Sequence, residues 1–119
     1  MSGSKSDGKA ELNLDQVKIS IKKAVEAQRI ELKELSLKIH DNPELAMEEV
    51  KASGWLCDYL ERNGFEVERG FCHLPTAFRA SYGKGKPVIA FLAEYDALPG
   101  LGHGCGHNII ATGSAGAGV

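Results

Sequence analysis

No apolar run in these 119 residues approaches the roughly 20 needed to cross a bilayer. The start, Met1-Ser-Gly-Ser-Lys-Ser, also lacks the apolar stretch of a secretory signal, so a cytoplasmic location is the default expectation. Charge of one sign is missing as well. With 14 Lys and Arg against 16 Asp and Glu, the net charge of −2 offers no general field for nucleic acid or anionic lipid, which disfavours both as partners.

Cysteine is scarce. Cys57, Cys72 and Cys105 make an odd number without the dense spacing of a disulfide-stapled domain, so reduced thiols are expected. Cys57 falls in a helical pattern and Cys72 in a mixed loop, and both read as small, half-buried structural residues. No second C-x-x-C or H-x-x-x-H cluster exists to complete a finger-type zinc site. No lysine followed by Ser or Thr comes after the glycines of the one Gly-rich loop, which excludes a P-loop. Internal repeats and long charge runs are also absent.

What is present is an ordinary globular composition, 43% hydrophobic and 25% charged, in a chain long enough for one modest core. A domain of this size buries roughly 65% of the surface its unfolded chain exposes. Residues 1–13, rich in Ser, Gly and Lys, cannot repay the entropy of ordering and are expected to form a flexible tail. From Asp15, a candidate N-cap, apolar residues at Val17, Ile21, Ala24, Leu32, Leu35 and Ile39 predict one long amphipathic helix ending near His40. Asp41-Asn42-Pro43 marks its stop. A second helix is expected from about Met47 to Asn63, closed by Gly64 in a left-handed C-cap.

The period then changes to two. Phe65 and Val67, and later Phe78, Ala80 and Tyr82, alternate with polar residues as half-wet strands do. A hairpin-type turn at Gly83-Lys84-Gly85-Lys86 leads into Val88-Ile89-Ala90-Phe91-Leu92-Ala93, whose unbroken apolar character predicts a central strand covered on both faces. The small residues from Ala111 to Val119 permit close helix packing and carry no stop signal, so a helix that continues in a longer protein is expected. This order of elements predicts an α/β layer with helices on a mixed sheet.

The chemistry gathers just after the apolar run. Between Ala93 and Asn108 stand two carboxylates, Glu94 and Asp96, two histidines, His103 and His107, and Cys105, interleaved with glycines that allow tight turns. Zinc and similar metals accept thiolate and imidazole together, and Cys105 and His107 could chelate from a single loop. Three readings stay open on spacing alone. One is this metal pair, the second a purely structural Gly-rich loop, and the third a Cys105–histidine nucleophile pair. The last is weakest, because a nucleophile and base one residue apart rarely point at each other. Glu48-Glu49 reads as a solvated helix start, where acids suit the helix dipole.

Ala93-Glu-Tyr-Asp-Ala-Leu-Pro99 followed by Gly102-His-Gly-Cys-Gly-His-Asn108 resembles the signature of M20 metallopeptidases and amidohydrolases. The resemblance is nearest to the branch with aminobenzoyl-glutamate hydrolases and M20-domain dipeptidases. Asp41-Asn-Pro-Glu-Leu-Ala-Met-Glu-Glu49 is similar to the start of that family, so the likeness covers roughly residues 30 to 119. It implies that residues 14–119 are the N-terminal portion of an M20 catalytic domain. It also implies a hydrolase in which two divalent ions, zinc or alternatively manganese, activate water against an amide bond. Cys105 then matches a bridging metal ligand, His107 a second ligand, and Asp96 a supporting, orienting residue. Glu94 stands where many M20 peptidases have a metal-binding histidine, and it stays outside the ligand set. The implied substrate is a small N-acyl amino acid, an aminobenzoyl-glutamate-like compound or a dipeptide. The general base, the remaining ligands and any dimerising domain are expected beyond Val119, leaving these residues alone inactive. The competing expectation is a truncated, non-catalytic paralogue or small binding domain.

Overall fold

The computed structural model describes residues 11–119. The tail expected over 1–13 therefore lies, for residues 1–10, outside the described residues. Four helices and a two-stranded sheet follow: α1 (Leu14–Ala27), α2 (Arg29–His40), α3 (Val50–Arg62), β1 (Glu66–Arg69), a single 3₁₀ turn (Phe71–His73), β2 (Phe78–Ser81) and α4 (His107–Gly118). The helix expected as one piece is divided at Gln28, whose φ of −94° and ψ of −2° fall beyond the usual scatter of helical values, near the bridge region. Tyr59 of α3 donates its hydroxyl to the Gln28 side-chain oxygen at that break. The N-cap is Asn13, not Asp15: its side-chain oxygen accepts from the amides of Asp15 and Gln16.

α3 starts three residues later than the spacing suggested, and a neighbouring acid caps it from outside. The carboxylate of Glu44 accepts from the amides of Lys51 at 3.0 Å and Ala52 at 2.9 Å, satisfying donors that the first turn leaves unpaired. At its other end Gly64 takes the left-handed conformation, φ +86°. Gly64 N–H bonds the Glu61 carbonyl and Phe65 N–H bonds that of Leu60, the paired closure of a Schellman motif. A Cβ at position 64 would meet only an ordinary contact with the Tyr82 ring at 3.7 Å, so the obstacle to a side chain is the backbone region and not space. Gly64→Ala should therefore destabilise the protein by about 1–2 kcal/mol, with Gly64→Asn milder. Urea unfolding of the two variants checks this order.

The core lies where α2, α3 and α4 meet. Ile39, Tyr59 and Ala111 are wholly buried and Leu56 nearly so, and Leu35, Ala52 and Leu60 complete the cluster. Each large apolar side chain removed from water there contributes about 1.5–3 kcal/mol. The small residues of α4 let it approach closely: a Cβ built on Gly116 would come within 2.7 Å of Leu32 Cδ1. Asn108 donates to Ser36 Oγ at 3.0 Å and ties the start of α4 to α2.

β1 and β2 pair antiparallel with Val67 opposite Ala80 and Glu68 opposite Arg79, and their half-buried faces cover α3. The α/β expectation stands as helices on a small antiparallel sheet; the mixed sheet does not. Residues 88–93 form no strand, and Val88, Ile89, Phe91 and Leu92 are exposed. An apolar run specifies side chains that favour burial, whereas a strand needs hydrogen-bonding neighbours, and among the described residues this segment has none on either edge. Cys72 differs as well: it is exposed at φ +55° in the β1–β2 connection, while Cys57 is wholly buried, and burial pushes its thiol pKa up. Among the described residues no helix is long and apolar enough to cross a membrane.

Candidate metal centre

The apolar segment 88–93 hands over to Glu94-Tyr95-Asp96-Ala97, and the backbone there is fastened at Ala97. The Ala97 amide donates to the Glu44 carbonyl at 2.7 Å, part of a parallel bridge between Leu45 and Ala97. The two sequence motifs, far apart in the chain, thus touch through their backbones. A tight turn follows, with Leu98 N–H bonded to the Gly102 carbonyl and Leu101 N–H to that of Leu98. Gly106 then adopts φ +73°, a left-handed step that starts α4 and puts His107 at its first position.

This course brings His107 back onto Asp96. Nδ1 of His107 lies 2.9 Å from both the Asp96 carbonyl oxygen and Asp96 Oδ1. A carbonyl oxygen only accepts, so Nδ1 carries the proton and donates to both. The lone pair is left on Nε2, which makes no hydrogen bond among the described residues. A carboxylate fixing the tautomer of a histidine whose other nitrogen is free is the usual outer support of a metal-ligating imidazole. Asp96 and His107 are both partly exposed, with side-chain exposures of 32% and 23%, so the free nitrogen sits at the surface of this loop rather than in the core. Cys105 is exposed two residues away.

His103, whose role the sequence left open, is buried, and neither ring nitrogen has a hydrogen-bond partner among the described residues. Its ring centroid is 6.4 Å from that of His40 at the end of α2. Burial lowers its pKa, and the neighbouring His40 and His107 add to that effect. Glu94 is exposed.

Tested against a divalent metal, the donors present agree in kind: a thiol and an imidazole with one nitrogen already oriented. They fall short in number, because among the described residues no group of three or more His, Cys, Asp or Glu side chains is placed to hold an ion. A four-coordinate site would need ligands from other polypeptide.

Sequence reasoning missed two acids. Glu49 is not a solvated helix start: it is buried, and its carboxylate accepts from Thr76 Oγ1 at 2.7 Å. Glu44 is the capping acid described above. A contact across 27 positions, such as Glu49 with Thr76, leaves no local signal. Glu44 precedes the amides it caps by seven and eight residues, too far for the capping-box spacing.

The loop thus aims one histidine and exposes one cysteine beside it, on an α/β support. Known proteins similar to the chain define its class. It is 42% identical over 106 residues to one of the subunits of the p-aminobenzoyl-glutamate hydrolase of Escherichia coli, covering 75% of this chain and 22% of that protein. It is 37% identical over 123 aligned positions to the Xaa-Arg dipeptidase of Homo sapiens, covering 92% of this chain and 28% of the relative. Thermostable carboxypeptidase 2 of Saccharolobus solfataricus is 37% identical over 87 residues, 60% of this chain and 22% of its own. No family model matches the chain. With these relatives it belongs to the M20 family, and all three relatives carry the names of amide-bond hydrolases. It spans about a quarter of their length.

Proposed function

We propose that this chain supplies part of the metal centre of an M20-type hydrolase that cleaves an amide bond in a small N-acyl amino acid, an aminobenzoyl-glutamate-like compound or a dipeptide. The observation that carries the reading is the Asp96–His107 contact, which fixes the imidazole tautomer and leaves Nε2 available. Cys105 and His107 are the ligands in this reading, and Asp96 holds His107 in place. Two bound divalent ions, zinc or manganese, would supply Lewis-acid polarisation of the amide carbonyl and acidification of a bound water. The work of these residues is to bind and orient. Cys105 contributes as a thiolate ligand, not as an attacking nucleophile. His107 contributes a neutral imidazole, and Asp96 keeps its proton on Nδ1.

The general base and the other ligands belong, in this reading, to polypeptide outside the 119 residues, which by themselves are inactive. The names of the relatives support the amide substrate class, and the shortage of donors among the described residues supports the dependence on further chain. A cytoplasmic protein acting on small molecules, dimeric in its complete form, is the rest of the proposal. The test is metal analysis of the complete gene product combined with hydrolysis of dipeptides and N-acyl amino acids. About two ions per chain are expected. Chelation should abolish turnover, and added zinc or manganese should restore it. Hydrolysis that survives complete removal of metal would overturn the reading.

A further inference from the structure

Asp96 is the centre of the site, and its neighbours in the chain are tied to one short segment, residues 44–49, Ala97 directly and Tyr95 through Thr76. On one side the Ala97 amide donates to the Glu44 carbonyl at 2.7 Å. On the other, the Tyr95 hydroxyl donates to the carbonyl of Thr76. Thr76 in turn donates its own hydroxyl to Glu49 Oε2 at 2.7 Å. Glu49 and Thr76 are 8% and 6% exposed, so this is a buried hydrogen bond. The Tyr95 ring is further held by stacking on Phe78 of β2, with centroids 5.9 Å apart and planes 18° from parallel.

Burying a carboxyl group costs free energy that one hydroxyl offsets only in part. What the buried pair provides is a directional anchor for the Thr76 side chain. Thr76 lies in the connection between β1 and β2, where the Ala77 amide, in the same peptide unit as the Thr76 carbonyl, donates to the Leu74 carbonyl at 3.0 Å; the Thr76 side chain adds a second anchor, on Glu49. That carbonyl locates Tyr95, and Tyr95 with Ala97 locates the Asp96 backbone. Asp96 presents both of its acceptors, the carbonyl and Oδ1, to His107 Nδ1. An error anywhere along this series therefore reaches the imidazole.

We propose that Glu49, through Thr76 and Tyr95, is a positioning residue that holds Asp96 where it fixes the tautomer and aim of His107. The metal part of this inference rests on the proposed function; the tautomer part does not. The experiment compares Glu49→Ala, Thr76→Val and Tyr95→Phe with the conservative Thr76→Ser in the complete gene product. Two readouts are taken. One is zinc affinity by chelator competition, and the other is the imidazole ¹⁵N spectrum of His107 in the metal-free protein.

The wild type and Thr76→Ser should show a single tautomer protonated at Nδ1. The three disrupting variants should show mixed tautomers and bind zinc about tenfold more weakly, the lower end of what outer-shell losses usually cost. Their kcat should fall further than their KM changes. Variants that melt earlier but keep the wild-type tautomer and zinc affinity would make the cluster a structural buttress and overturn the proposal. If the wild type binds no zinc, the proposed function fails, and the tautomer measurement still decides the positioning role. Should Glu49→Ala or Thr76→Val not fold, Tyr95→Phe, which keeps the ring on Phe78, carries the test.

Discussion

Cys105→Ala and His107→Ala, each made in the complete gene product, should lose bound metal and amide hydrolysis together. In the proposed reading the two side chains are the donors, Cys105 at the end of the loop and His107 at the start of α4, and neither fills the core: Cys105 is exposed and His107 is partly so. Their removal should therefore leave the melting temperature of the metal-free protein close to wild type. Asp96→Asn provides the scale. It keeps the carbonyl that accepts from His107 and loses only the carboxylate, so its cost should stay within the roughly 10–100-fold typical of an outer-shell partner. The two ligand variants should exceed that range, because a lost donor removes part of the coordination itself. Metal content by elemental analysis and turnover on one dipeptide, measured on the same preparations, decide the matter. Full metal content in Cys105→Ala would remove Cys105 from the ligand set, and activity without metal would remove the mechanism.

The loop was legible in the sequence because its information is local. Thiol, imidazole and carboxylate stand within sixteen residues between Ala93 and Asn108. Helix ends were legible for the same reason: Asp41-Asn42-Pro43 stops α2 and Gly64 closes α3 through backbone preferences that act over two or three residues. The contact between Asp96 and His107 spans eleven positions and depends on the left-handed step at Gly106. Spacing suggested that these residues belonged together but not that Nδ1 would be the engaged nitrogen.

What the sequence hid was carried by distant partners. The stripe through Val17, Ile21, Ala24 and Leu32 keeps helical phase past Gln28, so nothing local marks the break where Tyr59 bonds that side chain. Glu49 looks like any acid at a helix start until Thr76 is folded over it. The segment 88–93 errs in the opposite direction. Its composition argues for a covered strand, yet what fastens it is the Ser114 hydroxyl on the Leu92 carbonyl, at 2.7 Å, and not a neighbouring strand. Composition records what a side chain prefers, and pairing records what is available to meet it.

Ile39→Ala is expected to be the most damaging core change, at about 2–4 kcal/mol, within the range seen when a large buried aliphatic is truncated. Ile39 is wholly buried on the last turn of α2, in the cluster where α2 meets α3 and α4. Its backbone carbonyl accepts from Asn42 N–H, the turn that leads to Pro43 and Glu44. Side chains of three helices border the space the substitution would empty, so the site cannot collapse by moving one of them alone. The consequence should reach His107 by a definite route. Asn108, the second residue of α4, is tied to Ser36 one turn before Ile39, and His107 precedes it directly. Loosening α2 against α4 should therefore weaken zinc binding as well as lower the melting temperature. Leu37→Ala is the control, since Leu37 is exposed on the same helix and should change neither. Chemical denaturation and chelator competition on the pair would separate a local cavity from a displaced helix: the first predicts lost stability with zinc affinity intact, the second predicts both.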